Sequence, residues 1–246
     1  MADRALLIDQ GNTRLKWVAA EDGEILEQSA GRGDFDGFKR ACVSGLDRPE
    51  RVLFSSVAGR DAAQQLTGFC ESHWSLEARQ LQSESHGGGV RNGYPEPAKL
   101  GVDRWLAIVG AVACHGKPVV VWDLGTASTL DAVDQDGQHI GGMIYPGPST
   151  MLNSLARDTK LSVPTDLAEA GISPGRTTAI CIRNGVFAAQ LGTLNQFLRS
   201  TQEETGARPK LVVTGGAAGG ILPLLDFDCI HDPWLVFRGM LTEGIR

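Results

Sequence analysis

Leu6-Leu7-Ile8-Asp9-Gln10-Gly11-Asn12-Thr13 and Val120-Val121-Trp122-Asp123-Leu124-Gly125-Thr126-Ala127 are two versions of one pattern. Each is an apolar run that closes on Asp-x-Gly and continues into small hydroxyl or amide residues. Asp22-Gly23 follows the first run and Asp136-Gly137 the second, at the same offset that separates Asp9 from Asp123. The register survives without a gap. Each copy therefore reads as strand, tight turn, strand, hairpin turn, strand. Glycine admits positive φ or a close backbone approach, and Asp-Gly is a strong hairpin signal. One such hairpin could arise by chance; the whole pattern in one register points to an internal duplication.

Working outward, residues 51–57 read as a short buried strand and residues 62–74 as a helix, followed by a Gly87-Gly88-Gly89 loop. In residues 102–114 the apolar positions Trp105, Leu106, Ile108, Val109 and Val112 suit a helix packed in the middle of the molecule. Beyond the second copy, residues 177–197 predict a long helix with small residues on one side. Residues 210–214 predict a buried strand ending in Gly215-Gly216, and residues 221–225 the start of another helix. Strands alternate with helices in both parts, which favours α/β layers. The expected organisation is two similar halves, 1–115 and 116–246, closely joined around a shared cleft.

Composition narrows the field. With 42% hydrophobic and 21% charged residues the chain is ordinary for a folded globular protein. A net charge of −6 argues against a surface built to neutralise nucleic-acid phosphates. No apolar run approaches the roughly 20 residues of a membrane span, and the N-terminal run is too short for a signal-peptide core. Cys42, Cys70, Cys114, Cys181 and Cys229 are scattered without a CxxC pair, so inert thiols in a reducing cytoplasm are expected.

The turn from Asp9 through Gly11, Asn12 and Thr13 to Lys16 suits a triphosphate. Backbone N–H groups freed by the glycine turn face phosphate oxygens, the side chains add donors, and Lys16 adds a point charge. Asp9 would hold Mg²⁺, directly or through its waters. Taken alone, this turn is better explained by an Asx-turn closing a hairpin. A second such turn at Asp123-Leu124-Gly125-Thr126 on a duplicated half changes the balance, because two turns could grip one polyphosphate from both sides. Thr214-Gly215-Gly216 is a third element, a strand entering a small-residue turn against which a base and ribose could lie; simple strand–helix packing is its plain alternative. The chain holds neither G-x-x-x-x-G-K-[ST] nor G-x-G-x-x-G, so P-loop and dinucleotide-binding readings have no support.

The paired turns resemble the acetate kinase, sugar kinase, heat-shock chaperone and actin superfamily. The resemblance implies a duplicated ribonuclease H-like, or actin-like ATPase, fold. Val90-Arg91-Asn92-Gly93-Tyr94 followed by Leu100-Gly101-Val102-Asp103-Arg104-Trp105 is similar to the substrate and catalytic segment of type III pantothenate kinases. The other family marks stand in order: Asp9-x-Gly-Asn-Thr-x-x-Lys16, Asp123-x-Gly-Thr-Ala, Gly141-Gly142 with Pro146-Gly147, and Thr214-Gly215-Gly216. Together they cover most of the chain, and the ordered set is specific although no single element is.

What the resemblance implies is phosphoryl transfer from MgATP to the terminal hydroxyl of pantothenate, the entry step to coenzyme A. It carries Asp103 over as the general base, accepting the proton of the attacking hydroxyl. Without the family likeness, Asp103 would read as the N-cap of the helix that follows it. Gly101, Val102, Arg104 and Tyr94 become substrate contacts, with Arg104 matched to the pantothenate carboxylate. Asp123 becomes the ligand of a monovalent cation, K⁺ or NH₄⁺, and Thr126 an ATP contact. Thr178 is the best match to a further substrate contact, although Thr177 beside it leaves the register open. A homodimer is implied too, and the helix over residues 102–114 is apolar enough to serve as its contact surface. His73, His86, His115, His139 and His231 form no cluster and receive no role. Two rivals remain: a kinase of the same fold acting on a sugar or carboxylic acid, and a catalytically silent nucleotide-binding accessory protein.

Overall fold

The computed structural model describes residues 3–12, 14–164 and 171–244. The chain forms two compact units, residues 1–114 with 235–246 and residues 115–234.

The first unit is built on β1 (Arg4–Gln10), β2 (Leu15–Glu21) and β3 (Glu24–Gly33), an antiparallel meander. Asp22 and Gly23 close its second hairpin at positive φ, 50° and 84°. Helix α1 (Phe35–Ser44) starts at Asp34, whose carboxylate accepts the Gly37 N–H at 2.7 Å, an N-cap worth about 1 kcal/mol. Then follow β4 (Arg51–Ser56), α2 (Arg60–Trp74) and β5 (Ala78–Gln80). The sheet order is β3-β2-β1-β4-β5, with β4 parallel to β1 and β5 parallel to β4. Residues 5–10 of β1 are all buried, as a central strand covered on both faces requires. Helix α2 buries Ala63, Leu66, Cys70 and Trp74, a spacing of three and four that faces one side. These side chains join Ile8, Trp17, Phe38 and Phe54 in one core, where Trp17 meets Phe38 edge to face at 5.3 Å. The Gly87–Gly89 stretch expected as a loop is the tip of a small ribbon, β6 (His86–Gly87) and β7 (Val90–Arg91), turned by Gly88 and Gly89 at positive φ.

Helix α3 (Val102–His115) follows, with every residue from Arg104 to Val112 buried. It is an inner helix rather than the contact surface its apolarity suggested, because its apolar positions run all round and are spent on packing.

The second unit repeats the plan with β8 (Val119–Leu124), β9 (Ala127–Val133) and β10 (His139–Pro146), then α4 (Pro148–Asp158) and α5 (Thr178–Thr205). It ends with β11 (Lys210–Thr214), α6 (Ala218–Ile221) and β12 (Ile230–His231). Its sheet order, β10-β9-β8-β11-β12, is that of the first sheet strand for strand, with the same senses. Duplication is thus visible in topology. Asp9 and Asp123 fall at equivalent places, the C-terminal ends of the two first strands, where ligands of α/β sheets bind. Trp122, Leu124, Leu130, Phe187, Leu194 and Val213 make the second core.

Two expectations change. The helix placed at residues 221–225 begins earlier, at Ala218, and Ile221 is its last residue. Pro223 lies in the 3-10 turn beyond, where a missing N–H prevents continuation. The C-terminal segment, assigned by sequence to the second half, forms α7 (Leu235–Gly244) of the first unit, packed on β1 and β4. Gly110 of α3 and Gly239 of α7 leave no room for a Cβ against Leu235 O and Leu106 O respectively, so the two helices meet backbone to backbone.

Candidate active site

In the first unit, β1 delivers Asp9 to the edge of the core with only 9% of its surface exposed. The ladder sets its neighbours: Asp9 pairs with Lys16 on β2 and with Ser55 on β4. Ser55 Oγ donates to Asp9 Oδ1 at 2.9 Å, and Lys16 Nζ stands 3.8 Å from Asp9 Oδ2. Burial pushes the Asp9 pKa up; Lys16 and the Ser55 hydroxyl oppose the rise, and the Asp103 carboxylate adds to it. Asp9 and Asp103, far apart in sequence, are therefore electrostatic neighbours. Gly11 N–H donates to Arg14 O at 3.1 Å to close the turn, and Asn12 is exposed at its tip. Thr13 lies outside the described residues. A buried carboxylate with one oxygen engaged and a lysine nearby suits Mg²⁺ held beside phosphates, directly or through water.

Asp103 sits in the first turn of α3, half-exposed. It is not the cap. The Gly101 carbonyl receives the first helical bond, from Trp105 N–H at 2.9 Å, while Asp103 Oδ1 accepts Arg104 N–H at 2.8 Å. That position favours a negative side chain through the helix dipole. A Cβ on Gly101 would stand 2.7 Å from Asp103 Oδ1, so glycine leaves space for this carboxylate. Arg104 is buried; its Nη1 donates to Tyr94 OH at 2.9 Å and its guanidinium lies 5.8 Å from the Tyr94 ring centre. Val102 is half-buried beside them. Gly101, Val102, Asp103, Arg104 and Tyr94 thus gather around one helix N-terminus.

The sequence reading quoted Asn92 but gave it no part. The structure makes it the hub of this loop. Its Oδ1 accepts Tyr94 N–H at 3.0 Å, its Nδ2 donates to Glu84 O at 3.0 Å and Pro97 O at 3.3 Å, and its N–H reaches Ser85 O at 2.9 Å. Ser55 was likewise missed; a serine closing the apolar run of β4 was the available sign.

In the second unit, Asp123 pairs with Thr129 on β9 and Thr214 on β11. Gly215 has φ +94° and lies directly against the Asp123 carboxylate. Gly125 N–H donates to Ala127 O at 3.1 Å, leaving Thr126 exposed at the turn. The Thr126 carbonyl accepts Gly147 N–H at 3.0 Å and Thr150 Oγ1 at 2.6 Å. Gly216 is exposed, with open space at its Cβ position. Asp123, Thr126, Gly215 and Gly216 therefore converge.

Thr178 stands apart from that turn, at the start of α5. It lines a cavity of about 770 Å³ with Met151, Leu161, Arg176, Thr177 and Ile182. Thr177 is the N-cap of α5, its hydroxyl accepting Ile180 N–H at 3.3 Å. Of the histidines, His139 is buried against Asp131 at 2.9 Å and His115 meets Asp232 at 2.9 Å. Among the described residues, no cluster of three metal-binding side chains occurs and no helix is long and apolar enough to cross a membrane.

Comparison with known proteins gives this arrangement its family. The model of type III pantothenate kinase matches residues 5–200. A type III pantothenate kinase of Nitrosococcus oceani is 33% identical, covering 96% of this chain and 91% of its own length. One of Azoarcus sp. is 37% identical, covering 96% and 88%. Among solved structures, MreB 5 of Spiroplasma citri bound to AMPPNP superposes with a TM-score of 0.53 at 8% identity, covering 98% of this chain and 96% of that one, which shows the actin-like fold alone. Fold, ordered motifs and full-length relatives agree: the chain belongs to the type III pantothenate kinase family.

Proposed function

We propose that the chain transfers the γ-phosphoryl group of ATP to the terminal hydroxyl of pantothenate, giving 4′-phosphopantothenate, with Asp103 as general base. The activity is that of the family to which the chain belongs. The observation that carries the residue roles is Asp103 in the first turn of α3, half-exposed and electrostatically coupled to Asp9. With Oδ1 held by Arg104 N–H, Oδ2 takes the proton of the substrate hydroxyl as it attacks phosphorus. Arg104 donates to Tyr94, and its planar guanidinium suits the pantothenate carboxylate. Mg²⁺, when bound, neutralises charge on the transferring phosphoryl group. Asp9 holds that ion, and Lys16, Gly11, Asn12 and Thr13 bind phosphates beside it.

In the second unit, Thr126, Gly215 and Gly216 contact the nucleotide and Asp123 holds a monovalent cation, K⁺ or NH₄⁺. Thr178 contacts substrate from its cavity. A cytoplasmic homodimer completes the reading.

The test is ATP consumption with pantothenate, with and without K⁺, for wild type and D103N. Turnover should fall by about 10²–10⁴-fold in D103N, the usual worth of a general base, with MgATP binding by calorimetry intact. Wild-type turnover in D103N would remove Asp103 from the mechanism, and faster turnover on a sugar would displace pantothenate.

A further inference from the structure

We infer that Gln190 is a positioning residue for the nucleotide turn of the second unit, acting through Ser128 and Pro146–Gly147 without touching substrate. The inference rests on reading the Asp123–Thr126 turn as nucleotide-binding. Gln190 sits on α5, fully buried, where an aliphatic residue would be the ordinary occupant. A buried amide that lacks partners is costly, so its bonds are what hold it there. Gln190 Oε1 accepts from Ser128 Oγ at 2.8 Å. Its Nε2 donates to Pro146 O at 2.9 Å and approaches Met151 Sδ at 3.4 Å.

Ser128 and Pro146 lie on the two strands of one hairpin, at the end nearest the nucleotide turn, and Met151 on the helix that follows. Ser128 pairs with Tyr145, and Pro146 with Ala127, as the last rungs of the β9–β10 ladder. One side chain thus clamps the hairpin where it opens into the Asp123–Ala127 turn on one side and Gly147 on the other. Ser128 is itself fully buried and bonds the Tyr145 hydroxyl, which accepts Trp122 Nε1–H at 2.9 Å. Gly147 then transmits the clamp: its N–H holds the Thr126 carbonyl, and a Cβ there would overlap Gly125 O. Without Gln190 the Pro146 carbonyl loses its buried donor, and Gly147, which holds the Thr126 carbonyl together with Thr150 Oγ1, is less firmly placed. The backbone that meets the phosphates moves while Asp123 and Thr126 remain in place in the sequence.

The experiment compares Q190M, S128A, their double variant and T126A, which removes the side chain of the proposed nucleotide contact, in the full chain. AMPPNP affinity is measured by calorimetry without pantothenate, together with Tm and separate KM values for ATP and pantothenate. Methionine keeps length and apolar packing while removing both strong bonds, and S128A is the milder cut. Q190M should weaken AMPPNP binding and raise the ATP KM about tenfold, the effect of a buried bond left half-made, with pantothenate KM within about threefold. S128A should move the same values in the same direction, and the double variant should lose less than the sum of the two, since both cut one clamp. If T126A weakens AMPPNP binding while folded Q190M and S128A do not, Gln190 is only a packing residue. If Q190M does not fold, S128A decides alone. If T126A also leaves AMPPNP binding unchanged, the nucleotide reading of this turn fails and the inference fails with it.

Discussion

The Asp123 carboxylate occupies the space that a side chain on Gly215 would need. A Cβ at position 215 would overlap Asp123 Oδ1 and stand 2.5 Å from Leu124 N. Position 215 also has φ +94°, where an L-residue is strained by about 1–2 kcal/mol. G215A should therefore lower Tm by several degrees and displace Asp123. We expect ATP turnover to fall at least tenfold and K⁺ activation to weaken, read from rate against K⁺ concentration. Gly216 supplies the comparison, because its Cβ position is open. Loss in G216A would report a ligand contact, whereas loss in G215A reports strain on Asp123. Normal K⁺ activation in G215A would detach Asp123 from the ion.

Asn92 should matter to substrate rather than to nucleotide. It holds the Tyr94 backbone and two carbonyls of the same loop, and Tyr94 in turn receives a bond from Arg104. Truncating it removes three side-chain bonds to exposed or half-buried backbone groups, each worth about 0.5–1.5 kcal/mol, or roughly tenfold in affinity together. N92A should raise the pantothenate KM by that order, with the ATP KM unchanged and kcat within about threefold. N92A/Y94A should be little worse than Y94A, since the asparagine acts through the tyrosine. Full additivity in steady-state kinetics would show that Asn92 acts elsewhere.

What the sequence made legible was local or repeated. Asp9-x-Gly11 and Asp123-x-Gly125 announced themselves because a strand and its turn lie within one short window and recur in register. Strand β11 and helices α2, α3 and α5 followed from apolar runs and spacing. What stayed hidden was contributed from a distance. Ser55 reaches Asp9 only because β4 pairs with β1, and Gln190 reaches Ser128 only because α5 packs on β9. Periodicity places a polar residue on a buried face but does not name its partner. The return of α7 to the first unit was hidden for the same reason, since its apolar face fits either core. The Thr177–Thr178 register was undecidable by motif, because the two differ only in which takes the cap.

Asp9 gives a stability prediction with a definite sign. Burial raises its pKa above the ordinary value of 3.8. The folded chain thus keeps this proton to higher pH than the unfolded chain does. Through the window from 3.8 up to the raised value, stability falls as pH rises, and above it the buried charge is carried in full. D9N removes that charge. Its Tm should exceed wild type at neutral pH, by about 2–4 °C for each kcal/mol recovered, and the gain should vanish below the window. Activity should be lost in the same variant, the usual conflict between a strained functional group and stability. Thermal melts across pH without nucleotide decide it; a lower Tm for D9N at neutral pH would mean that Lys16 and Ser55 outweigh desolvation.

Thr177 and Thr178 should separate by experiment although they are adjacent. Both line the cavity, but the Thr177 hydroxyl is committed to the Ile180 N–H as the cap of α5, whereas Thr178 is the first helical residue. Removing the cap costs about 1 kcal/mol, and in a chain of this size that is about 2–4 °C in Tm. T177A should therefore lower Tm and leave the pantothenate KM within about twofold. T178V, which keeps shape and removes the hydroxyl, should leave Tm nearly unchanged and raise the pantothenate KM by up to about tenfold, since the substrate would lose one hydrogen bond. Thr177→Ser should restore the Tm lost in T177A, because serine caps as well as threonine. The opposite pattern, with KM moving in T177A and Tm in T178V, would assign the substrate contact to Thr177.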